Sequence, residues 1–108
     1  MIRLPPFRYL APRSLEEAVA MKAEHGREGM YVAGGTDLFP NMKRRQFEPA
    51  VLIGLRGLKE LRGLSNGRGF TIGAGTTLSE VANHPQVRDL YPSLARAAGL
   101  VSSPPLRN

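Results

Sequence analysis

The segment from Tyr31 to Leu38 constrains this chain more than any other. Tyr31-Val32-Ala33 is a short apolar run, a strand candidate, and it passes directly into Gly34-Gly35. Thr36 or Asp37 then stands where the N-cap of a helix beginning about Leu38 belongs. Strand, glycine turn and helix start in that order predict a strand-to-helix unit closed by a tight turn. Pro40 suits the first turn of the helix, where its missing N–H costs nothing, and Lys43-Arg44-Arg45 falls toward the end, where cations suit the dipole. Glycine reaches positive φ without strain and lets an anion approach successive main-chain N–H groups, to which a helix N-terminus adds positive potential. Taken alone, though, a Gly-Gly pair between strand and helix is more often a plain tight turn. Thr36 and Asp37 are then only caps.

The flanking segments read as further short elements. Phe7-Arg8-Tyr9-Leu10 alternates apolar and polar residues as an opening strand does. Ser14-Leu15-Glu16-Glu17 is a capping-box pattern: the Ser14 hydroxyl accepts from the Glu17 amide while the Glu17 carboxylate reaches back to the Ser14 amide. Leu15, Ala18 and Val19 share one face of the helix that follows, and Gly26 is placed to stop it in a left-handed conformation. Ala50 to Leu55 is a continuous apolar run, as in a strand buried on both faces. Gly57 to Leu61 suggests one helical turn, Ser65-Asn66-Gly67 a turn, and Phe70-Thr71-Ile72 a strand. After Gly73-Ala74-Gly75, Thr77-Leu78-Ser79-Glu80 repeats the capping-box pattern, opening a helix that ends near His84-Pro85. A last helix begins at Pro92-Ser93, with Leu94, Ala97, Ala98 and Val101 on its apolar side, and Ser102-Ser103-Pro104-Pro105 closes it.

With 108 residues, 42% of them hydrophobic, the chain has material for one compact unit of two lobes. Its 12 glycines and 9 prolines are scattered, singly or in pairs, between periodic segments, so they indicate frequent turns and no low-complexity tract. It has no cysteine, which excludes disulfides, thiolate metal sites and cysteine nucleophiles within these residues. No stretch approaches the roughly 18 apolar residues of a membrane span, and a cytoplasmic protein is expected. The net charge of +6 would suit a polyanionic partner, yet Lys43-Arg44-Arg45 is the sole basic run and no aromatics interleave with it. It reads first as a solvated face after a helix.

Catalytic constellations are absent from the pattern. His25 and His84 are isolated, Glu16-Glu17 belongs to a helix surface, and Ser102-Ser103 lies among prolines, so no acid, base or nucleophile has a partner nearby in sequence. Neither G-x-x-x-x-G-K-[ST] nor G-x-G-x-x-G occurs. A site in this chain is expected to bind rather than react, with no catalytic residue and no metal ligand.

Four motifs in order resemble the FAD-binding subunit or domain of the molybdenum hydroxylases, the type found in xanthine dehydrogenase, carbon monoxide dehydrogenase and 4-hydroxybenzoyl-CoA reductase. They are Phe7-Arg8-Tyr9 with Ser14 to Ala18, Ala33-Gly34-Gly35-Thr36-Asp37-Leu38, Ile72-Gly73-Ala74-Gly75-Thr76-Thr77-Leu78, and Tyr91 through Val101 to Leu106-Arg107-Asn108. The resemblance implies an α+β fold: the N-terminal part of a PCMH-type FAD-binding domain, a small βαβ lobe (residues 1–56), then the start of a second lobe with an antiparallel sheet (57–108). It implies that Tyr31, Val32, Ala33, Gly34, Gly35, Thr36, Asp37 and Leu38 wrap the FAD pyrophosphate and that Val101 lies against the flavin. The stretch Thr36 to Arg44 is most similar to the 4-hydroxybenzoyl-CoA reductase branch.

The implied function is to bind FAD and relay electrons to iron–sulfur clusters of a small subunit, beside a large subunit carrying the molybdenum cofactor, in a hetero-oligomer with no nucleic-acid or membrane partner. The family continues after its Leu-Arg-Asn stretch with a second glycine motif of the type Thr-Ile-Gly-Gly-Asn. The chain is therefore expected to be an N-terminal fragment, inactive alone. Two other readings compete: a flavin-binding module serving a flavin oxidase, and a small basic domain that binds nucleic acid or protein without a cofactor.

Overall fold

Three short strands, β1 (Arg8–Leu10), β2 (Gly29–Val32) and β3 (Val51–Gly54), form a parallel sheet with β3 in the middle. The computed structural model describes residues 3–101 and 103–108. Tyr9 pairs with Leu52 on one side of β3 and Tyr31 with Ile53 on the other. A strand paired on both edges and covered on its faces leaves no place for a polar side chain, and all four residues of β3 are buried. The uninterrupted apolar run thus has its physical cause in the central position.

Helix α1 (Leu15–His25) joins β1 to β2. The Glu17 amide donates to the Ser14 hydroxyl at 3.0 Å, as the capping box requires. The Glu17 carboxylate accepts from the Arg13 amide at 3.3 Å instead of from Ser14, so the reciprocal half of the box closes one residue early. Of the expected buried face only Ala18 is buried, and Val19 is exposed. A narrow three-stranded sheet covers a thin stripe of the helix, and Val19 lies about 100° round from Ala18. Gly26 has φ 54 and ψ −128, a positive φ outside the left-handed helical region, and its N–H reaches the Lys22 carbonyl. Lys22 Nζ donates to the carbonyls of Gly26 and Gly29 at 2.7 and 2.6 Å, joining the end of α1 to the start of β2.

After β2 the chain turns through the glycines into α2 (Leu38–Lys43) and returns as β3. Val32, Met42 and Leu52 are the buried centre of this part, with Leu4, Phe7, Met30, Leu38 and Phe39 packed around them. Each such side chain taken out of water contributes about 1.5–3 kcal/mol. Leu58 is fully buried, and the turn expected near it is a 3₁₀ turn at Lys59–Leu61.

The chain divides into two compact units, one ending at Glu60 and the other beginning at Leu61. The second opens with an antiparallel hairpin of β4 (Leu64–Asn66) and β5 (Phe70–Ile72). Ser65 and Asn66 belong to β4, so the turn falls two residues later than expected, where the Gly67 amide donates to the Gly69 carbonyl. Helix α3 (Leu78–Asn83) is capped as the pattern predicts, the Glu80 amide donating to the Thr77 hydroxyl at 3.0 Å. A helix not expected from the sequence, α4 (Pro85–Leu90), begins at once, because Pro85 occupies a first position that needs no N–H and the His84 ring Nδ1 accepts from the Gln86 amide at 3.2 Å. Then come α5 (Pro92–Leu100) and a short α6 (Pro104–Arg107), which begins within the Ser102 to Pro105 stretch expected to close the last helix. Ser102, assigned to that closing stretch, lies outside the described residues.

Val81, Val87, Ala95 and Ala98 form the core of this unit, with Leu64, Phe70, Leu78 and Ala82 against it. Phe70 meets His84 and Tyr91 edge-on, at ring separations of 5.7 and 5.8 Å. The α+β arrangement implied by the resemblance, a small parallel sheet followed by an antiparallel one, is the arrangement observed.

Candidate functional site

Strand β2 ends at the buried Val32, whose carbonyl accepts from the Leu55 amide at 2.9 Å. The next residues leave the core: Ala33, Gly34, Thr36 and Asp37 are exposed, and Leu38 is half-buried at the start of α2. Gly35 carries φ +78, a conformation an L side chain adopts only with strain. Its carbonyl accepts from the Phe39 amide at 3.0 Å, and the Asp37 carbonyl from Asn41 at 3.3 Å. In a trans peptide the next N–H points opposite to the carbonyl. The Thr36 and Leu38 amides therefore point back from α2, out of the turn.

Among the described residues no backbone carbonyl accepts from the amides of Gly34, Gly35, Thr36, Asp37 or Leu38. Five successive donors are left over at an exposed turn, and donors of that kind attract an anion. The helix behind them contributes less than the sequence suggests. It has six residues, and the Asp37 side chain makes no capping bond, so neither Thr36 nor Asp37 acts as the expected cap. Asp37 already has helical φ and ψ, whereas an accepting N-cap side chain needs an extended backbone. Tyr31 projects toward α1, its hydroxyl 3.5 Å from the Ala18 carbonyl, and offers the turn only main-chain groups. Arg45, the last of the basic run, has φ 61 and folds back along the surface, its guanidinium donating to the carbonyls of Arg3 and Met42 and lying 3.6 Å from Glu48. It closes the end of α2 and is not a free surface cation.

Tyr31 to Leu38 thus form one continuous segment of the first unit, while Val101 follows α5 in the second. Val101 lines a cavity of about 470 Å³, with Leu94, Ala97 and Ala98 of α5, Leu78 and Val81 of α3, Ile72 at the end of β5, and Gly73, Ala74 and Thr76 between β5 and α3. Of the apolar stripe expected on α5, Leu94, Ala97, Ala98 and Val101 all line the cavity, but only Ala98 is buried; the other buried residue of the helix, Ala95, lies outside that stripe. The Val101 carbonyl is held by the Arg107 guanidinium. Sequence reasoning singled out the Ile72 to Leu78 motif without placing any of it at a site. Among the described residues no charged or polar side chain is buried, and no three His, Cys, Asp or Glu side chains gather as metal ligands.

The fold is an α+β module with an exposed glycine turn of free amides in its first unit and an apolar cavity in its second. The family model described as the FAD binding domain in molybdopterin dehydrogenase matches residues 5–108. The chain is 40% identical over 105 residues to the carbon monoxide dehydrogenase medium chain of Hydrogenophaga pseudoflava, covering 96% of this chain and 37% of that one. It is 36% identical over 104 residues to the nicotinate dehydrogenase FAD-subunit of Eubacterium barkeri, covering 94% and 35%.

Among solved structures, it matches carbon monoxide dehydrogenase from Hydrogenophaga pseudoflava, in a form lacking the Mo-pyranopterin moiety of the molybdenum cofactor, with a TM-score of 0.93 and 39% identity over 98% of this chain and 37% of that chain. Quinoline 2-oxidoreductase from Pseudomonas putida 86 matches with a TM-score of 0.91 and 31% identity, over 98% and 37%. The chain belongs to the FAD-binding domain family of the molybdopterin dehydrogenases, and its cofactor is FAD. It spans little more than a third of the length of these relatives. The turn suits the diphosphate of FAD: five amides lack carbonyl partners, and a Cβ placed on Gly34 would meet nothing within 4 Å, so the main chain is open to approach.

Proposed function

We propose that this chain holds FAD for a multi-subunit molybdenum oxidoreductase and takes part in passing electrons between that flavin and iron–sulfur clusters of a partner subunit. The observation that carries the reading is the run of unpartnered amides from Gly34 to Leu38 about the positive-φ Gly35. Their N–H groups bind the pyrophosphate, with Val32 and Ala33 fixing the entry to the turn, Thr36 adding a hydroxyl, and Tyr31 and Asp37 contributing main chain only. Val101 supplies an apolar wall for the flavin ring from the cavity side. When bound, the flavin supplies a ring that accepts one or two electrons, which lets a two-electron reaction feed one-electron carriers.

The partners in this reading are a large subunit with the molybdenum cofactor and a small iron–sulfur subunit, assembled in the cytoplasm. Relatives named for carbon monoxide, nicotinate and quinoline share this domain, which supports placing substrate recognition in another subunit. Within the family, the Thr36 to Arg44 stretch favours a 4-hydroxybenzoyl-CoA reductase-like branch. Titrating FAD into the protein expressed over its full reading frame, while following flavin fluorescence, is expected to give saturable quenching. Absence of binding overturns the reading. Salt-sensitive oligonucleotide binding without FAD binding favours the basic module instead.

A further inference from the structure

Resting on the flavin reading above, we infer that Phe39 is a positioning residue for the pyrophosphate turn, holding Gly35 in the conformation that presents the amides. Three observations converge on it. A Cβ placed on Gly35 would run into the Phe39 ring at Cδ2 and Cε2, so the ring occupies the space where a side chain at position 35 would stand. The Phe39 amide donates to the Gly35 carbonyl at 3.0 Å, so one residue grips Gly35 through both main chain and side chain. The ring is itself anchored, packed against the buried cluster of Val32, Met42 and Leu52.

Glycine has several backbone wells of similar energy, and an isolated Gly-Gly turn would have to be ordered at the moment of binding. Ordering before binding removes that cost from the affinity. Phe39 does this for Gly35: rotation out of φ +78 breaks the hydrogen bond from the Phe39 amide and separates the glycine from the ring. The orientation of the Thr36 amide, set by the Gly35 carbonyl in the same peptide plane, follows. Phe39 touches no phosphate in this scheme. It fixes the group that does.

The test uses the protein over its full reading frame with Phe39→Ala and Phe39→Leu. Without flavin, exchange of the residue 39 amide, which donates to the Gly35 carbonyl, is expected to speed up about tenfold or more in Phe39→Ala while Leu52 and Ile53 of β3 keep their protection. The dissociation constant for FAD is expected to rise about tenfold in Phe39→Ala, and Phe39→Leu, which refills most of the volume, to recover most of it. Gly35→Ala should also weaken FAD binding less in the Phe39→Ala background than alone, because the ring it strikes is gone. Unchanged FAD affinity in Phe39→Ala overturns the inference, as does equal loss of protection in the turn and in β3, which makes Phe39 a core residue only. Wild-type protein that binds no FAD overturns the flavin reading itself, an outcome visible without either variant.

Discussion

Gly34-Gly35 and Gly73-Ala74-Gly75 each follow a strand and precede a helix, one pair in each unit. At the first, the amides from Gly34 to Leu38 find no carbonyl partner among the described residues, and Gly35 needs to be glycine for its positive φ. At the second the amides are consumed: Gly73 donates to Gly63 at 2.9 Å, Gly75 to Leu61 at 2.7 Å and Thr76 to Gly73 at 3.0 Å. Gly73 and Gly75 are not among the positive-φ glycines, and Gly73 is required because a Cβ there would meet the Leu61 carbonyl. One turn is built to leave donors free and the other to let two backbones touch. Following each N–H to its partner separates glycines that leave donors free from glycines that pack, whereas the local pattern around them does not.

Substitutions can break or sharpen that contrast. The largest effect is expected from Gly73→Val, which forces the Leu61 backbone away and should remove about 3 kcal/mol of stability from the second unit in denaturant unfolding. A loss under about 0.5 kcal/mol, typical of open surface positions, would deny the backbone contact. Gly35→Val should raise the FAD dissociation constant at least about tenfold, or ~1.4 kcal/mol, through strain at positive φ and collision with Phe39. Unchanged affinity in that variant would remove Gly35 from the site.

The helices behind the two turns should also differ. Thr77→Ala deletes a real cap and is expected to cost about 1 kcal/mol in thermal unfolding, while Asp37→Ala, with no capping bond to lose, should cost under about 0.5 kcal/mol. Equal costs would erase the distinction. Smallest of all is Gly34→Ala, where a Cβ meets nothing within 4 Å and φ is not positive. It should leave folding stability within about 0.5 kcal/mol of wild type.

Much of the fold was legible before the structure. Ser14 and Thr77 cap their helices as predicted because N-cap chemistry involves groups only three residues apart. The apolar run of β3 announced a central strand because burial on both faces admits no polar residue. Misjudged features depended on what lies across from a residue. Val19 has the composition of a core position and is exposed, since the narrow sheet covers only the Ala18 side of α1. The apolar stripe of α5 was visible, yet which of its residues is buried and which only lines the cavity depends on α3 and on the segment after β5. Helix α4 escaped notice because its cap is a histidine ring, an acceptor that ordinary capping patterns omit.

The glycine segment from Val32 to Leu38 divides in the same way. By itself the sequence determined that a strand would end there, that the chain would turn through glycines and that a short helix would follow, because these depend on neighbours along the chain. Tertiary structure decided that Gly35 lies under the Phe39 ring and that its neighbours' amides stay unpaired, while the glycines of the second turn spend theirs on Gly63 and Leu61. The physical reason is that a hydrogen bond or a steric contact belongs to a pair, and at the second turn the partner stands ten or more residues away in the chain. Which groups remain available to a ligand is settled only when every other partner has been placed.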